Sequence, residues 1–381
     1  MLYLLLLRNI YMYAGIYGEK GFSTIQLRLT RLAMGILFYY GFGMLYNLIK
    51  IIADSGVSLG EKCNCLLACA TYLMMFSNYI LLYIKRHEHR TIFKIIQCFD
   101  NFGNPQNLEQ EIKFIDRLCF LLSAYCGFAA FTATLEGFRE YESCVEVRAD
   151  TNRLIYCGFV VEVSYPFYEL KGSLYYIHTV IQAYIAFHTC FCGCQALISS
   201  IATIELIIIR INHLKQLVRI IVDENEEDEI QYNKLRICIL YHIHIIDLTG
   251  KVNSCYKSAI TIVLLGYAIN VGCSMIAFFE EYSTMAMLNL VGWTFTVYLV
   301  CRSGQRLHDK SLSIGDAFFD LNWLTSKKQK LNIQFVILRA NKPLTYETLW
   351  GLGAFLFETY MKIMSAAYRF TSLRTGVTRQ N

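Results

Sequence analysis

The chain has 381 residues, 55% of them hydrophobic, only 17% charged and only three of them proline. A soluble domain of this size wraps its core in a surface that brings the charged share near a quarter, so this composition fits a chain whose outer face meets lipid. The formal charge of +5 is mild, and no basic stretch is interleaved with aromatics, which argues against a nucleic-acid partner.

The segment Met1–Tyr13 reads as part of the mature chain. Its apolar core, Leu2–Leu7, is short, no charged residue precedes it and no small-residue cleavage site follows. Beyond it, six runs contain no Asp, Glu, Lys or Arg: Leu32–Ile49, Cys63–Ile84, Leu118–Leu135, Gly172–Ile204, Ser258–Phe279 and Tyr282–Cys301. A crossing of about 30 Å of hydrocarbon needs roughly 20 residues at 1.5 Å each, so each run meets or approaches that length. The fourth is far longer, which predicts a helix that protrudes into the cytosol. A seventh stretch, Thr348–Leu373, carries Glu358, Lys362 and Arg369. Glu358 and Lys362 stand four apart with glutamate first, the favourable order on one helix face, and ionisable groups on a membrane helix turn toward protein or water. The spans are therefore placed at about 32–52, 63–84, 116–135, 172–204, 257–279, 282–302 and 348–373, with cytosolic anchor regions at 205–256 and 303–347.

Spans alternate sides, so Lys and Arg in the loops decide orientation. With a cytosolic N-terminus, the inside segments 1–31, 85–112, 205–238 and 302–347 hold 21 of them, and the outside segments 53–62, 136–172, 280–281 and 374–381 hold 7. The chain reads as one all-α polytopic domain of seven transmembrane helices, N-terminus cytosolic and C-terminus extracellular. This argues against a rhodopsin-like receptor, whose N-terminus is outside. The acidic-Arg pair and the Asn-Pro pair of those receptors are also missing.

Between spans, Glu136–Lys171 holds seven Asp/Glu against four Lys/Arg, and Asp223–Glu229 (DENEEDE) reads as a solvated cytosolic turn. Most of the fifteen cysteines lie in apolar stretches, where reduced cysteine acts as a small hydrophobe. Cys144 and Cys157 fall in a polar outer loop, where a disulfide and two free thiols both remain open. His188, Cys190, Cys192 and Cys194 (HTCFCGC) lack the second cluster that structural zinc usually has, so no metal is expected. His242 and His244 read as a polar stripe on a cytosolic helix. Phosphate loops, paired carboxylates and nucleophile elbows are absent, so neither catalysis nor a cofactor is expected.

Four C-terminal stretches and one in the middle resemble a known family. Leu235–Phe278 runs from a Leu and a His on a long amphipathic helix into the membrane. Gly315–Leu324 (GDAFFDLNWL) forms a short aromatic cytosolic helix. Arg339–Trp350 (RANKPLTYETLW) contains an Arg-x-x-x-Pro step, and Leu356–Arg374 runs from Glu358-Thr359-Tyr360 through Ala367-Tyr368 to Phe370-Thr371 and Leu373-Arg374. Ser164–Tyr184 adds a Pro-Phe step and Gln182. Together these resemble the insect odorant receptors from about Ser164 onward; the first three spans match by hydropathy only.

That resemblance implies a tuning subunit that joins a co-receptor subunit in a hetero-tetramer in the plasma membrane of a sensory-neuron dendrite. The final helices would surround a cation pore, placing Arg369, Phe370, Thr371 and Leu373 on the pore helix. It also implies a small volatile ligand, held in the outer half of spans two to six. Apolar and aromatic residues with few polar anchors suit such a site: Tyr72, Phe76, Phe128, Phe131, Thr132, Tyr176, Thr179, Gln182, Tyr267, Asn270 and Trp293. Arg369 departs from the family, which has a small polar residue there, so it either faces away from the pore or weakens conduction. The gustatory receptors share the topology, but their terminal Gln-Phe is missing here. A secondary transporter would show internal repeats, and none is present. On the 21-to-7 excess, an epitope tag at the C-terminus is expected to label on intact cells and one at the N-terminus only after permeabilisation; the reverse labelling would refute the orientation.

Overall fold

A computed structural model of the chain describes residues 24–99, 102–139, 145–146, 163, 173–221, 228–282, 284–321, 327–351 and 353–378. The segment Met1–Tyr13, Cys144, Cys157, Pro166, most of the DENEEDE turn and Trp323 lie outside them, as do the side chains of Trp350, Phe370, Thr371 and Leu373. The described residues form helices α1 (Thr24–Ala53), α2 (Leu59–Ile84), α3 (Arg86–Gln97), α4 (Leu108–Arg139), α5 (Ser173–Ile220), α6 (Asp228–Glu281), α7 (Thr284–Leu321), α8 (Lys327–Ala340) and α9 (Phe357–Thr378). Six of these, α1, α2, α4, α5, α6 and α7, are long and apolar enough to cross a membrane; α9 carries the seventh span. A bilayer offers backbone groups no hydrogen-bonding partner, so the spanning segments must be helical.

Local signals set the helix ends. Ser58 caps α2, its hydroxyl accepting from the Glu61 N–H at 3.0 Å, the pairing that a Ser-x-x-Glu sequence announces. At the far end of α6, Tyr282 adopts a left-handed conformation (φ 52°) and donates its N–H to the Phe278 carbonyl at 3.0 Å. That reversal lets α7 start at Thr284.

The helix of the last span begins at Phe357, later than the expected Thr348. Gly351 (φ 67°) and Gly353 (φ 111°) turn the chain through conformations that a helix cannot contain. The Phe355 N–H donates to the Tyr346 carbonyl at 2.9 Å, and the Leu349 N–H donates to the Thr261 hydroxyl of α6 at 2.9 Å. Residues 344–356 are thus a pinned tight turn.

α5 and α6 organise the bundle. At 48 and 54 residues they measure about 72 and 81 Å, more than twice a hydrocarbon core. α6 packs against α2, α5 and α7 along its length and touches α3 and α9. Its buried residues, from Leu235 and Cys238 through Tyr241, Ile245, Leu248, Val252, Tyr256, Ile260 and Val263 to Tyr267 and Val271, follow one helical stripe without a break. On α5, every residue from Gln195 to Ile211 is buried inside the protein. The excess length of its apolar run is therefore covered by protein.

Ionic and polar anchors tie α3 to α5 and α6. On α3, His89, Ile92, Phe93 and Ile96 are buried at helical spacing. Arg210 of α5, 1% exposed, donates its Nη2 to the carbonyls of Ile95, Ile96 and Cys98 at 3.1, 3.0 and 2.7 Å and lies 4.2 Å over the Phe99 ring. These carbonyls close the C-terminal end of α3 and carry its negative end, which is what makes a buried guanidinium tolerable. His89 shares a 2.6 Å hydrogen bond with the Tyr256 hydroxyl, and burial pushes its pKa down to about 3, so the imidazole is neutral. His242, read above as part of a polar stripe, is 4% exposed and beside Phe318. α8 packs against α7, an arrangement that no periodicity announces.

Where α5 crosses α2, a Cβ on Gly193 would lie 2.7 Å from the Met75 Cα, a backbone atom that cannot step aside. Gly193→Ala is therefore expected to lower stability by about 1–3 kcal/mol. Gly250→Ala, whose Cβ meets nothing within 4 Å, is expected to be neutral or to stabilise by up to about 1 kcal/mol. Thermal unfolding of the detergent-solubilised protein compares the two.

Candidate ligand site and pore helix

Three elements bring the expected ligand residues near one another. α2 and α6 run antiparallel with a fixed register: Lys85 Nζ donates to the Ser254 carbonyl at 2.5 Å, and a Cβ on Gly266 would lie 2.7 Å from the Met74 sulfur. α7 returns alongside α6 and brings Trp293, 6% exposed, into the core. Tyr267 and Asn270 of α6 are fully buried, and the Tyr267 hydroxyl donates to the Met364 sulfur of α9 at 3.1 Å.

Asn270 stands out chemically. It is 0% exposed, and neither the oxygen nor the nitrogen of its amide has a hydrogen-bonding partner. A buried amide left in this way costs on the order of 1–3 kcal/mol or more. Thr71 of α2 stands one turn outward from Met74, as Asn270 does from Gly266, so the two lie at one level of the bundle. Thr71 Oγ1 and Ser274 Oγ, the latter one turn beyond Asn270, are buried without partners as well. Asn78, two turns from Thr71 on α2, repeats the pattern with both amide atoms unpaired. Thr71, Asn78 and Ser274 are absent from the sequence-derived set. The signal available was their spacing: polar residues at i and i+7 on one charge-free run and i and i+4 on another.

The remaining expected residues divide by face. Tyr72 is buried, but its hydroxyl donates to the Leu37 carbonyl of α1 at 2.5 Å and its ring stacks on the half-buried Phe76 at 6.0 Å, so it faces the first span. Thr179 and Gln182 of α5 are each 5% exposed. Thr132 returns its hydroxyl to the Phe128 carbonyl of its own helix at 3.0 Å. Phe128, Phe131 and Tyr176 are 55%, 51% and 69% exposed. Phe128 and Phe131 point away from the bundle interior, because the inward face of α4 is set by Ile115, Cys119, Leu122 and Ala130, and Tyr176 is exposed on α5. Of the HTCFCGC segment, His188 lies against Tyr79 and Tyr184, and Cys192 Sγ is 3.8 Å from His188 Nδ1.

α9 lies on α6 and α7 through Tyr360, Ile363, Met364 and the buried Ala367. Tyr298 of α7 stacks on Phe357 at 5.9 Å, and the same ring meets Tyr360 edge-on at 5.9 Å. Beside them an open groove of ≈ 350 Å³ is lined by Leu290, Val291, Thr294, Phe295, Tyr298 and Tyr360. The other side of α9 is exposed and polar: Glu358, Lys362, Ser365 and Arg369 follow one another at three- and four-residue steps, and Glu358 and Lys362 form an ion pair at 2.6 Å. Phe370, Thr371 and Leu373 lie on the same helix.

The family model of the 7tm odorant receptors matches residues 58–368. The chain belongs to that family. Putative odorant receptor 92a of Drosophila melanogaster is 28% identical over 159 residues, which is 40% of this chain and 37% of that receptor's length. Odorant receptor 67c of the same species is 24% identical over 391 aligned positions, covering 97% of this chain and 88% of the relative. The fold is that of the insect olfactory receptor OR5 from Machilis hrabei in complex with eugenol, with a TM-score of 0.79, 15% identity and 98% of each chain covered. The chain is thus a polytopic membrane protein of seven helices in the odorant receptor family.

Asn270→Leu removes the unpaired amide and keeps the volume. The variant receptor is expected to melt at or above the wild-type temperature, while any ligand held through oxygen loses at least tenfold in potency. Dose–response curves for an alcohol and for the hydrocarbon of the same chain length check this, the hydrocarbon curve being expected not to move.

Proposed function

We propose that this odorant receptor is the tuning subunit of a ligand-gated cation channel. It assembles with a co-receptor subunit in a hetero-tetramer in the plasma membrane of a sensory-neuron dendrite, with its N-terminus in the cytosol. The observation that carries the reading is the exposed polar stripe Glu358, Lys362, Ser365 and Arg369 on α9. A charged face on a membrane helix needs water or protein opposite it, and a water-filled path shared among subunits supplies both.

The ligand is a neutral, partly apolar volatile molecule bound in the outer half of the bundle. Tyr267, Asn270 and Trp293 form the innermost wall, Thr71 lies opposite on α2, and Thr179 and Gln182 come from α5. Support comes from their burial and from the unpaired amide of Asn270, which a ligand oxygen would complete. Asp, Glu, Lys, Arg and His are absent from this set, so an ionised ligand would find no counter-charge. Phe128, Phe131 and Tyr176 serve as outward surface for lipid or a neighbouring subunit.

Arg369 makes a four-copy assembly of this chain alone unfavourable. Two unit charges about 8 Å apart repel by about 2 kcal/mol at an effective dielectric near 20, and four copies would bring four guanidinium groups around one axis. One or two copies per tetramer relieve most of that repulsion. The receptor expressed alone is expected to give little or no current, and co-expression with a co-receptor subunit is expected to give currents evoked by some members of a broad volatile panel. Robust cation current from the unmodified chain alone would overturn the subunit role, and silence in both settings would overturn the channel reading.

A further inference from the structure

We infer that Glu205 and Arg306 form a latch that sets the position of the last helix. They would act as positioning residues for gating, not as ligand or pore contacts. This rests on the channel reading above. Glu205 follows directly on the charge-free run that ends at Ile204 in α5, and Arg302 follows directly on the run that ends at Cys301 in α7. At that boundary the buried Glu205 carboxylate, with 7% of its side chain exposed, accepts from Ser303 Oγ at 2.8 Å and from Arg306 Nη1 at 2.6 Å. Two opposed effects meet there. Burial pushes the Glu205 carboxyl up, while Arg306, the Ser303 hydrogen bond and Arg302 pull it back. A carboxylate so placed depends on Arg306, because losing it leaves a buried charge uncompensated, and on Ser303 for the hydrogen bond to its other oxygen.

The same turn of α7 is held from its other side. Gly304 lies between the two donors, and a Cβ built on it would fall 2.1 Å from the Phe355 carbonyl oxygen. The backbones of α7 and of the turn before α9 are therefore in direct contact. Phe355 is 1% exposed and two residues ahead of Phe357, the first residue of α9. The Thr359 hydroxyl ties the first turn of α9 back to the Ala354 carbonyl at 2.6 Å. Displacement of α5 relative to α7 would thus reach α9 through three short links: carboxylate to Ser303 and Arg306, Gly304 to Phe355, and Ala354 to Thr359. Packed interfaces of this kind shift between discrete arrangements instead of deforming smoothly. α5 also carries Thr179 and Gln182 at its outer end, so one rigid helix spans the proposed ligand site and the latch.

The test uses the full receptor co-expressed with a co-receptor subunit, with currents normalised to surface labelling. Ser303→Ala removes one hydrogen bond and leaves the ion pair, so it is expected to fold. Glu205→Gln removes the charge at nearly constant shape, and the double reversal Glu205→Arg with Arg306→Glu restores opposite charges. Ser303→Ala and Glu205→Gln are each expected to change ligand-independent current at least threefold and to shift the half-maximal ligand concentration, with the double reversal recovering part of the shift. Unchanged basal current and potency in Ser303→Ala and Glu205→Gln, with normal wild-type responses, would overturn the latch. A second measurement does not depend on channel activity: amide hydrogen exchange of the purified receptor is expected to speed up across residues 353–362 in Ser303→Ala. Faster exchange there with no ligand-evoked wild-type current would sink the channel reading and leave the mechanical link standing; unaltered exchange would sink the link itself.

Discussion

The receptor is organised around the single helical register of α6. Over 54 residues its buried side falls on one stripe, and that stripe passes from the cytosolic end into the membrane-spanning part without a break. Tyr241, Tyr256 and Tyr267 are its large members, all fully buried. Each meets a different partner: Phe102 by stacking at 4.2 Å, His89 through a hydrogen bond, and Met364 of α9. A helix so long behaves as a rigid body, so its contacts with α2, α3 and α9 are mechanically linked.

Electrostatics divide the molecule into two chemistries. Two buried charges are each held by several partners: Arg210 by three carbonyls and an aromatic face, Glu205 by Ser303 and Arg306. Desolvation of an ion costs several kcal/mol after relaxation, and only a multi-partner site repays it. Farther out the polar groups are neutral and shorter: Thr71, Asn78, Asn270 and Ser274. A neutral group is less costly to bury and can exchange partners. Rigidity belongs to the charged end and adaptability to the outer one.

Exposed aromatic residues show how far hydropathy can be read. Phe128, Phe131 and Tyr176 occupy apolar runs, as the buried Trp293 and Tyr267 do, yet they face outward. Along α5 the reverse holds: residues as apolar as any in the chain are enclosed by other helices. Lipid and protein interior are equally apolar, so transfer from water rewards both alike, and hydropathy cannot tell which of them covers a residue.

The sequence by itself determined the class of the molecule. Charge-free runs long enough to cross a bilayer, the low charged fraction and the motifs from Ser164 to Arg374 led to an all-helical membrane receptor of the odorant family, and the Glu358–Lys362 spacing anticipated their ion pair. Those properties are local, because each depends on one segment and on the solvent around it. Only the tertiary structure decided which face of each helix points inward, that Asn270 and Thr71 lie at one level, and that His242 is buried beside Phe318. It also decided that α9 waits for Gly351 and Gly353 to turn the chain. The physical reason is that these features depend on helix rotation and register, which are fixed by close contacts such as Gly193 on Met75 and Gly304 on Phe355 between segments far apart in the chain.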